Sequence, residues 1–317
     1  MSNSVTENAM QSTRKAAGQA ILELARDGYD VVALAADTAK SMYTNLLGEE
    51  YPERAIDVGI AEQTMAMMAS GLASAGKIAF AATYSAFTSM RCCEQLRTFA
   101  AYTGLNVNVI AGLGGYSAGI EGVTHLATED LGIMRCIAQM TILSPADAVT
   151  TAKAVKAAAG VPGPVYIRVG RDDSPAIFDE SYHFEIGVPV VHRRGDDVSL
   201  ITTGLATPYV LAAADLLSEA GISVEMIEVH TLKPITRPDM IVDSVKKTGR
   251  VVTVEEHNVV GGLATVVAEL VDGKALYQSR KIGLADEFGE SGTPEELRKK
   301  YKVEPKAIAD EVQKLWR

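Results

Sequence analysis

Cysteine is scarce in this chain, and what little there is excludes two chemistries. Only Cys92, Cys93 and Cys136 occur in 317 residues. Two are adjacent and none forms the spaced pairs that ligate zinc. They read as small core residues, which fits a reducing compartment. No apolar run is long enough to span a bilayer, so no membrane association is expected. The N-terminus, MSNSVTENAM, has no basic stretch followed by an apolar core. No signal peptide is expected, and the expected location is cytoplasmic. Basic charge is in deficit, with 30 Lys and Arg against 40 Asp and Glu. That speaks against a nucleic-acid partner, which requires a basic face. It leaves room for an anionic small substrate, because a single arginine can hold a phosphate locally.

Signature motifs are missing too. There is no G-x-x-x-x-G-K phosphate loop and no G-x-S-x-G elbow. The five histidines are scattered without metal spacing, so no metal site is expected on this chain. Gly112-Leu113-Gly114 begins like a dinucleotide fingerprint. The third glycine position holds Ser117, and no helix opens there.

What is present is a regular alternation of apolar strands and helices. The spacing predicts a helix from Ser12 to Arg26 and strands at Tyr29–Ala36, Ile56–Gly59, Lys77–Thr83, Asn106–Ala111, Thr141–Leu143 and Val165–Val169. Helices are predicted between them, one running unbroken from Phe87 to Tyr102. Such a pattern implies an α/β fold with a parallel sheet covered on both faces. Residues 172–197 are polar and aperiodic and read as a linker. A second α/β unit begins at Val198. The expected domains are residues 1–185 and 190–317, each large enough to bury its own core.

One stretch, AIDVGIAEQTMAMMASGLASAG from Ala55 to Gly76, combines a strand end, a turn and a helix. Glu62 heads that helix and everything behind it is small or apolar. An acid carried into an interior must find a partner or keep its proton. Ligands of parallel sheets sit beyond the C-terminal strand ends. Asp37, Ser41, Glu62, Phe87, His125 and Arg171 all fall just past predicted strands. Each alone also admits a structural reading: His125 as a loop residue, Phe87 as core, Arg168 or Arg171 as the partner of Asp172 or Asp173. His257 is expected to be structural.

Taken together, LAADTAKS, DVGIAEQTM, TYSAF, EQLR, GIEGVTHLATED, SPADA, GPVYIRVGR, VEEHNVVGGL and DEFGESGTPEEL resemble the C-terminal half of transketolases in the split form, where that half is a separate polypeptide. Parts of the pattern are shared with beta subunits of 2-oxoacid dehydrogenases and with deoxyxylulose-phosphate synthase, which are the alternative readings. The resemblance implies a parallel-sheet pyrimidine-binding domain followed by a smaller α/β transketolase C-terminal domain. It implies thiamine diphosphate as cofactor, with Mg²⁺ held mainly by an N-terminal partner subunit. The Gly-Asp-Gly and Asn signature of the diphosphate site does not occur here. It implies that Glu62 hydrogen-bonds the pyrimidine ring nitrogen and so promotes loss of the thiazolium proton. Phe87 would stack on that ring, with Tyr84 beside it in the TYSAF segment. His125 would contact the sugar, and Ser41 and Arg171 the substrate phosphate. Glu121 stands where transketolases usually carry Asp, and Leu113 where many carry a phosphate-holding histidine. The implied activity is two-carbon ketol transfer from a ketose to an aldose, phosphorylated or not, by an assembly of two of each chain.

Overall fold

A computed structural model of the chain describes residues 10–317. The expectation of no signal peptide rests on the N-terminus, of which residues 1–9 lie outside the described part. The strands are β1 (Met10–Ser12), β2 (Val31–Ala35), β3 (Ala55–Asp57), β4 (Ile78–Tyr84), β5 (Val107–Gly112), β6 (Thr141–Leu143) and β7 (Val165–Arg168). They continue with β8 (Asp173–Pro175), β9 (Val190–Arg193), β10 (Val198–Thr202), β11 (Val224–Glu228), β12 (Thr231–Lys233), β13 (Arg250–Asn258) and β14 (Gln278–Leu284).

Seven of them form one sheet in the order β12-β6-β7-β5-β4-β2-β3, parallel except for β12. The two-residue period of a strand sorts its side chains to opposite faces. Val31 and Ala33 of β2 pack with Ile21 and Leu24 of the helix Thr13–Arg26. Val32 and Leu34 pack on the other face with Met65, Ala69 and Leu96. The helix Glu62–Ser74 lies close on that face because Ala66, Ala69 and Ser70 are small and buried. The second sheet has the order β14-β13-β10-β11-β9, parallel except for β9. Among the described residues no helix is long and apolar enough to cross a membrane.

Three local expectations fail. The presumed linker is built into the fold: β8 pairs with β1, and β9 closes the edge of the second sheet. The Asp147 carboxylate holds it down, accepting the N–H groups of Ile177 and Phe178 at 2.8 and 2.9 Å. Strands this short carry too few residues to show a period. The unbroken helix from Phe87 is instead Ser85–Met90, a break at Arg91 and Cys92, then Cys93–Gln95 and a π-helical turn Leu96–Ala101. β12 crosses back from the second unit to the first sheet, which no local pattern specifies.

The two units are joined by buried charge. Arg168, 3% exposed, makes a two-point contact with Asp130, with Nε and Nη2 each 3.0 Å from a carboxylate oxygen. Nη2 also donates to the carbonyls of Ala127 (2.7 Å) and Glu256 (3.0 Å). Burial alone would lower the affinity of this guanidinium for its proton; Asp130 reverses the sign and holds it up. His257 is fully buried, its Nδ1 2.7 Å from the Asn258 carbonyl and its Nε2 accepting the Gly132 N–H at 3.3 Å. Both ring nitrogens are thus engaged by backbone groups, which fixes the ring in place. Glu255 caps the helix Leu263–Val271 through the N–H groups of Leu263 and Ala264, and burial pushes its carboxyl pKa up.

Replacing Arg168 by Met leaves the Asp130 charge buried without a cation, with only the Tyr166 hydroxyl donating to it at 2.8 Å. The expected loss is about 3–5 kcal/mol of unfolding free energy, read by denaturant titration. Adding Asp130→Leu is expected to restore part of it. A single-variant loss below about 1 kcal/mol would contradict this description of the junction.

Candidate functional site

The site begins at the C-terminal end of β3. The Asp57 Oδ1 accepts the N–H groups of Asp37 and Gly59, both at 2.9 Å. This clamp, with Gly59 at φ +71°, turns the chain sharply. Only glycine adopts that conformation without strain. The turn delivers Glu62 to the first position of its helix, where it is 6% exposed. Its carboxylate pairs with the Arg91 guanidinium, and its backbone carbonyl accepts the Cys92 thiol at 3.1 Å. The same guanidinium lies over the Phe87 ring, 3.8 Å from its centroid. A buried carboxylate at a helix N-terminus is thus met by a cation as well as by the helix dipole.

From Phe87 the site continues through aromatic contacts. The rings of Phe87 and His125 meet edge to face at 5.1 Å, and Tyr84 lies 5.6 Å from Phe87 and 5.9 Å from His125. The His125 Nδ1 is 2.9 Å from the Thr124 hydroxyl. The Tyr84 hydroxyl donates to Ser41 Oγ at 3.1 Å. Ser41 Oγ also takes a hydrogen bond from Arg14 Nη1 at 3.0 Å, and Arg14 Nη2 reaches the Arg171 carbonyl at 2.7 Å. Arg171 in turn pairs with Glu121 at 2.5 Å and donates to the Ala118 carbonyl. The seven residues singled out from the sequence, Ser41, Glu62, Tyr84, Phe87, Glu121, His125 and Arg171, therefore form one contact chain. Two arginines, Arg91 and Arg14, complete it. A cleft of ≈ 340 Å³ opens above Phe87 and Arg91, walled further by Val123, Thr124, Glu129 and Phe288. A larger groove of ≈ 840 Å³ lies between the helices Thr13–Arg26 and Ala148–Ala158 and contains none of the seven.

This fold and site define a class: an α/β chain that presents a buried acid and an aromatic face at the strand ends of a parallel sheet. Residues 9–175 match the model of the transketolase pyrimidine-binding domain, and residues 187–308 that of the transketolase C-terminal domain. A protein of Methanocaldococcus jannaschii named for the C-terminal section of transketolase is 39% identical, covering 94% of each chain. A 6-deoxy-6-sulfo-D-fructose transketolase subunit of Clostridium sp. (strain MSTE9) is 38% identical, covering 91% of this chain and 89% of that one. A solved split-gene transketolase, described as an inactive β4 tetramer, superimposes with a TM-score of 0.89 at 39% identity, over 96% of this chain and 98% of that one. The chain spans only 49% of human transketolase, to which it is 34% identical. The chain belongs to the transketolase family. The resemblance drawn from the motifs holds, and these relatives favour it over the 2-oxoacid dehydrogenase alternative.

Arg91 and Arg14 escaped the sequence reading. For Arg91 a signal existed: it lies four residues after Phe87, on the same helical face. For Arg14 the local rule points the wrong way. It is a cation in the first turn of its helix, where the dipole disfavours it. Burial further weakens its hold on its proton, and its Nε has no partner. Leu113, in the place of an expected phosphate-holding histidine, is 1% exposed at φ +59° and packs in the core beneath the second unit.

Burial pushes the Cys92 thiol from 9.0 up to about 12, with Glu62 adding to the effect. Because the folded value is raised, Cys92 contributes stability fully below pH ~9, and that contribution fades as pH climbs toward 12. Iodoacetamide at pH 8 is expected to modify exposed Cys136 and to spare Cys92 in the native chain, as read by peptide mass mapping. Equal labelling of the two would contradict the burial of Cys92.

Proposed function

We propose that this chain is the pyrimidine-binding half of a split transketolase. With a separate subunit supplying the diphosphate and Mg²⁺ site, it transfers a two-carbon ketol unit from a ketose to an aldose, phosphorylated or not. The single observation that carries this reading is the buried Glu62 carboxyl and the Phe87 ring brought to one place by a shared guanidinium, that of Arg91, at the edge of an open cleft. An acid beside an aromatic face suits an aminopyrimidine, which offers a flat ring and polar edge atoms.

Thiamine diphosphate, when bound, supplies the acidic thiazolium carbon and the electron sink that carbon–carbon cleavage requires. The protein's part is to bind, orient and manage protons. Glu62 holds a proton at the pyrimidine ring nitrogen, in a site dry enough to make that hydrogen bond strong. Phe87 stacks against the ring, and Tyr84 supports Phe87 and His125. His125, at the far edge of Phe87, hydrogen-bonds a sugar hydroxyl or the developing oxyanion. Arg14, Ser41 and Arg171 receive the anionic end of the sugar. Glu121, which holds Arg171 meanwhile, takes a hydroxyl once that end arrives. A relative is named for a sulfonated fructose. A sulfonate presents the same acceptor oxygens as a phosphate, so the terminal anion belongs to one or the other class. Among the described residues no group of three or more His, Cys, Asp or Glu side chains is arranged to hold a metal ion. The family resemblance assigns Mg²⁺ to the partner subunit. A site shared between two different chains calls for an assembly of two of each, the symmetric pair being the commonest oligomer.

The test is reconstitution with the diphosphate-binding subunit, thiamine diphosphate and Mg²⁺, with xylulose 5-phosphate and ribose 5-phosphate as substrates. Glu62→Gln is expected to lower kcat by about 10²–10⁴-fold, the usual range for a proton-transfer residue. Arg171→Ala and Arg14→Ala are each expected to raise the KM for an anionic ketose by about 10–100-fold, leaving kcat less affected. No transfer from any ketose donor, phosphorylated, sulfonated or neutral, would overturn the reading.

A further inference from the structure

We infer that Arg91 is a displaceable latch on the cofactor-ring seat: in the unloaded chain its guanidinium takes the position against Glu62 and Phe87 that the pyrimidine ring takes when bound. The inference rests on the proposed role of those two residues and goes beyond it.

Four observations lead there. First, the guanidinium uses both groups at once, pairing with the Glu62 carboxylate while lying 3.8 Å above the Phe87 centroid. A guanidinium is flat, stacks on aromatic faces and carries its donors at its edge. An aminopyrimidine offers a flat ring and polar edge atoms to the same two partners, so the two cannot occupy the seat together. Second, Arg91 lines the cleft, whereas Glu62 does not; the arginine stands between the acid and the opening. Third, the pair is unequal. The Arg91 side chain is 47% exposed and the Glu62 side chain 7%. Arg91 can leave for solvent without losing hydration, while Glu62 stays where its helix holds it. Fourth, Arg91 sits at the break between the helices Ser85–Met90 and Cys93–Gln95. Its backbone N–H bonds the Phe87 carbonyl at 2.8 Å and holds the backbone in place, so movement is left to the half-exposed side chain.

The chemistry explains the need. A carboxylate this deep, left without a partner, is strongly unfavourable. A chain that is made and folded without cofactor must leave Glu62 protonated or give it a partner, and Arg91 is the partner the geometry supplies. The consequence is a tax on binding: apparent affinity is reduced by the fraction of molecules in which the seat is free.

The experiment is calorimetric titration of thiamine diphosphate, at saturating Mg²⁺, into the complex of this chain with its diphosphate-binding subunit. If the seat is latched nine times in ten, Arg91→Met is expected to lower the dissociation constant about 10-fold. The free variant chain is expected to melt below wild type, and that gap is expected to narrow in the cofactor-saturated complex. Arg91→Lys keeps the charge without the flat stack and is expected to fall between the two. Unchanged or weaker binding by Arg91→Met, where wild type binds, would overturn the latch and leave the function intact. If Arg91→Met fails to assemble, Arg91→Lys decides by the same criterion. No cofactor binding by the wild-type complex would overturn both readings.

Discussion

A guanidinium sealed inside the protein keeps the parts of the site in register. Arg168 ends β7, grips Asp130 at two points, and bonds to the carbonyls of Ala127 and Glu256. It thereby ties the first sheet to the segment carrying His125 and to β13 of the second unit. The glycines before that segment make room for it. A Cβ on Gly114 would lie 2.6 Å from the Arg168 side chain, and one on Gly115 2.7 Å from Glu256. The run that begins like a phosphate cradle is glycine-rich because an arginine and a glutamate pass through it. With the Tyr116 ring packed at a tilt 5.0 Å from that of Tyr301, the loop is held from both sides. His125 then stays within reach of Phe87 without a long element of its own.

The arginines of this protein show how one side chain serves different ends in different surroundings. Arg168 is fully enclosed and matched by a carboxylate, and it is structural. Arg14 is largely buried, cationic at a helix N-terminus and only partly bonded, an arrangement that costs stability. Arg171 is a third exposed and pairs with Glu121, so water and a ligand can compete for it. Arg91 leans from the surface onto a buried acid. Violations of local preference gather at functional sites, where the surrounding packed structure offsets them. Here they gather along the C-terminal strand ends of the first sheet, the edge where parallel sheets bind ligands.

The central strands were legible because burial on both faces leaves a continuous apolar run, as in VVALA of β2 and VNVIAG of β5. The helix headed by Glu62 was legible because its small residues recur at helical spacing. β8, β9 and β12 were not, since three or four residues flanked by polar residues or proline display no period, and neither was β14, whose outer half is exposed and polar. The continuous helix expected from Phe87 failed for a related reason. Its residues all suit a helix, and only packing breaks it and widens the following turn into π geometry.

The amino-acid sequence by itself determined the fold class and the family, and singled out the acid, aromatic and histidine of the proposed site. Each of these follows from local periodicity or from motifs a few residues long. The tertiary structure alone decided which cation meets which carboxylate. Arg91 is 29 residues from Glu62 in the chain, and Arg171 is 50 from Glu121. Over such separations the partner is chosen by strand order and by the path of the intervening loops, and neither is encoded in the spacing of any one segment.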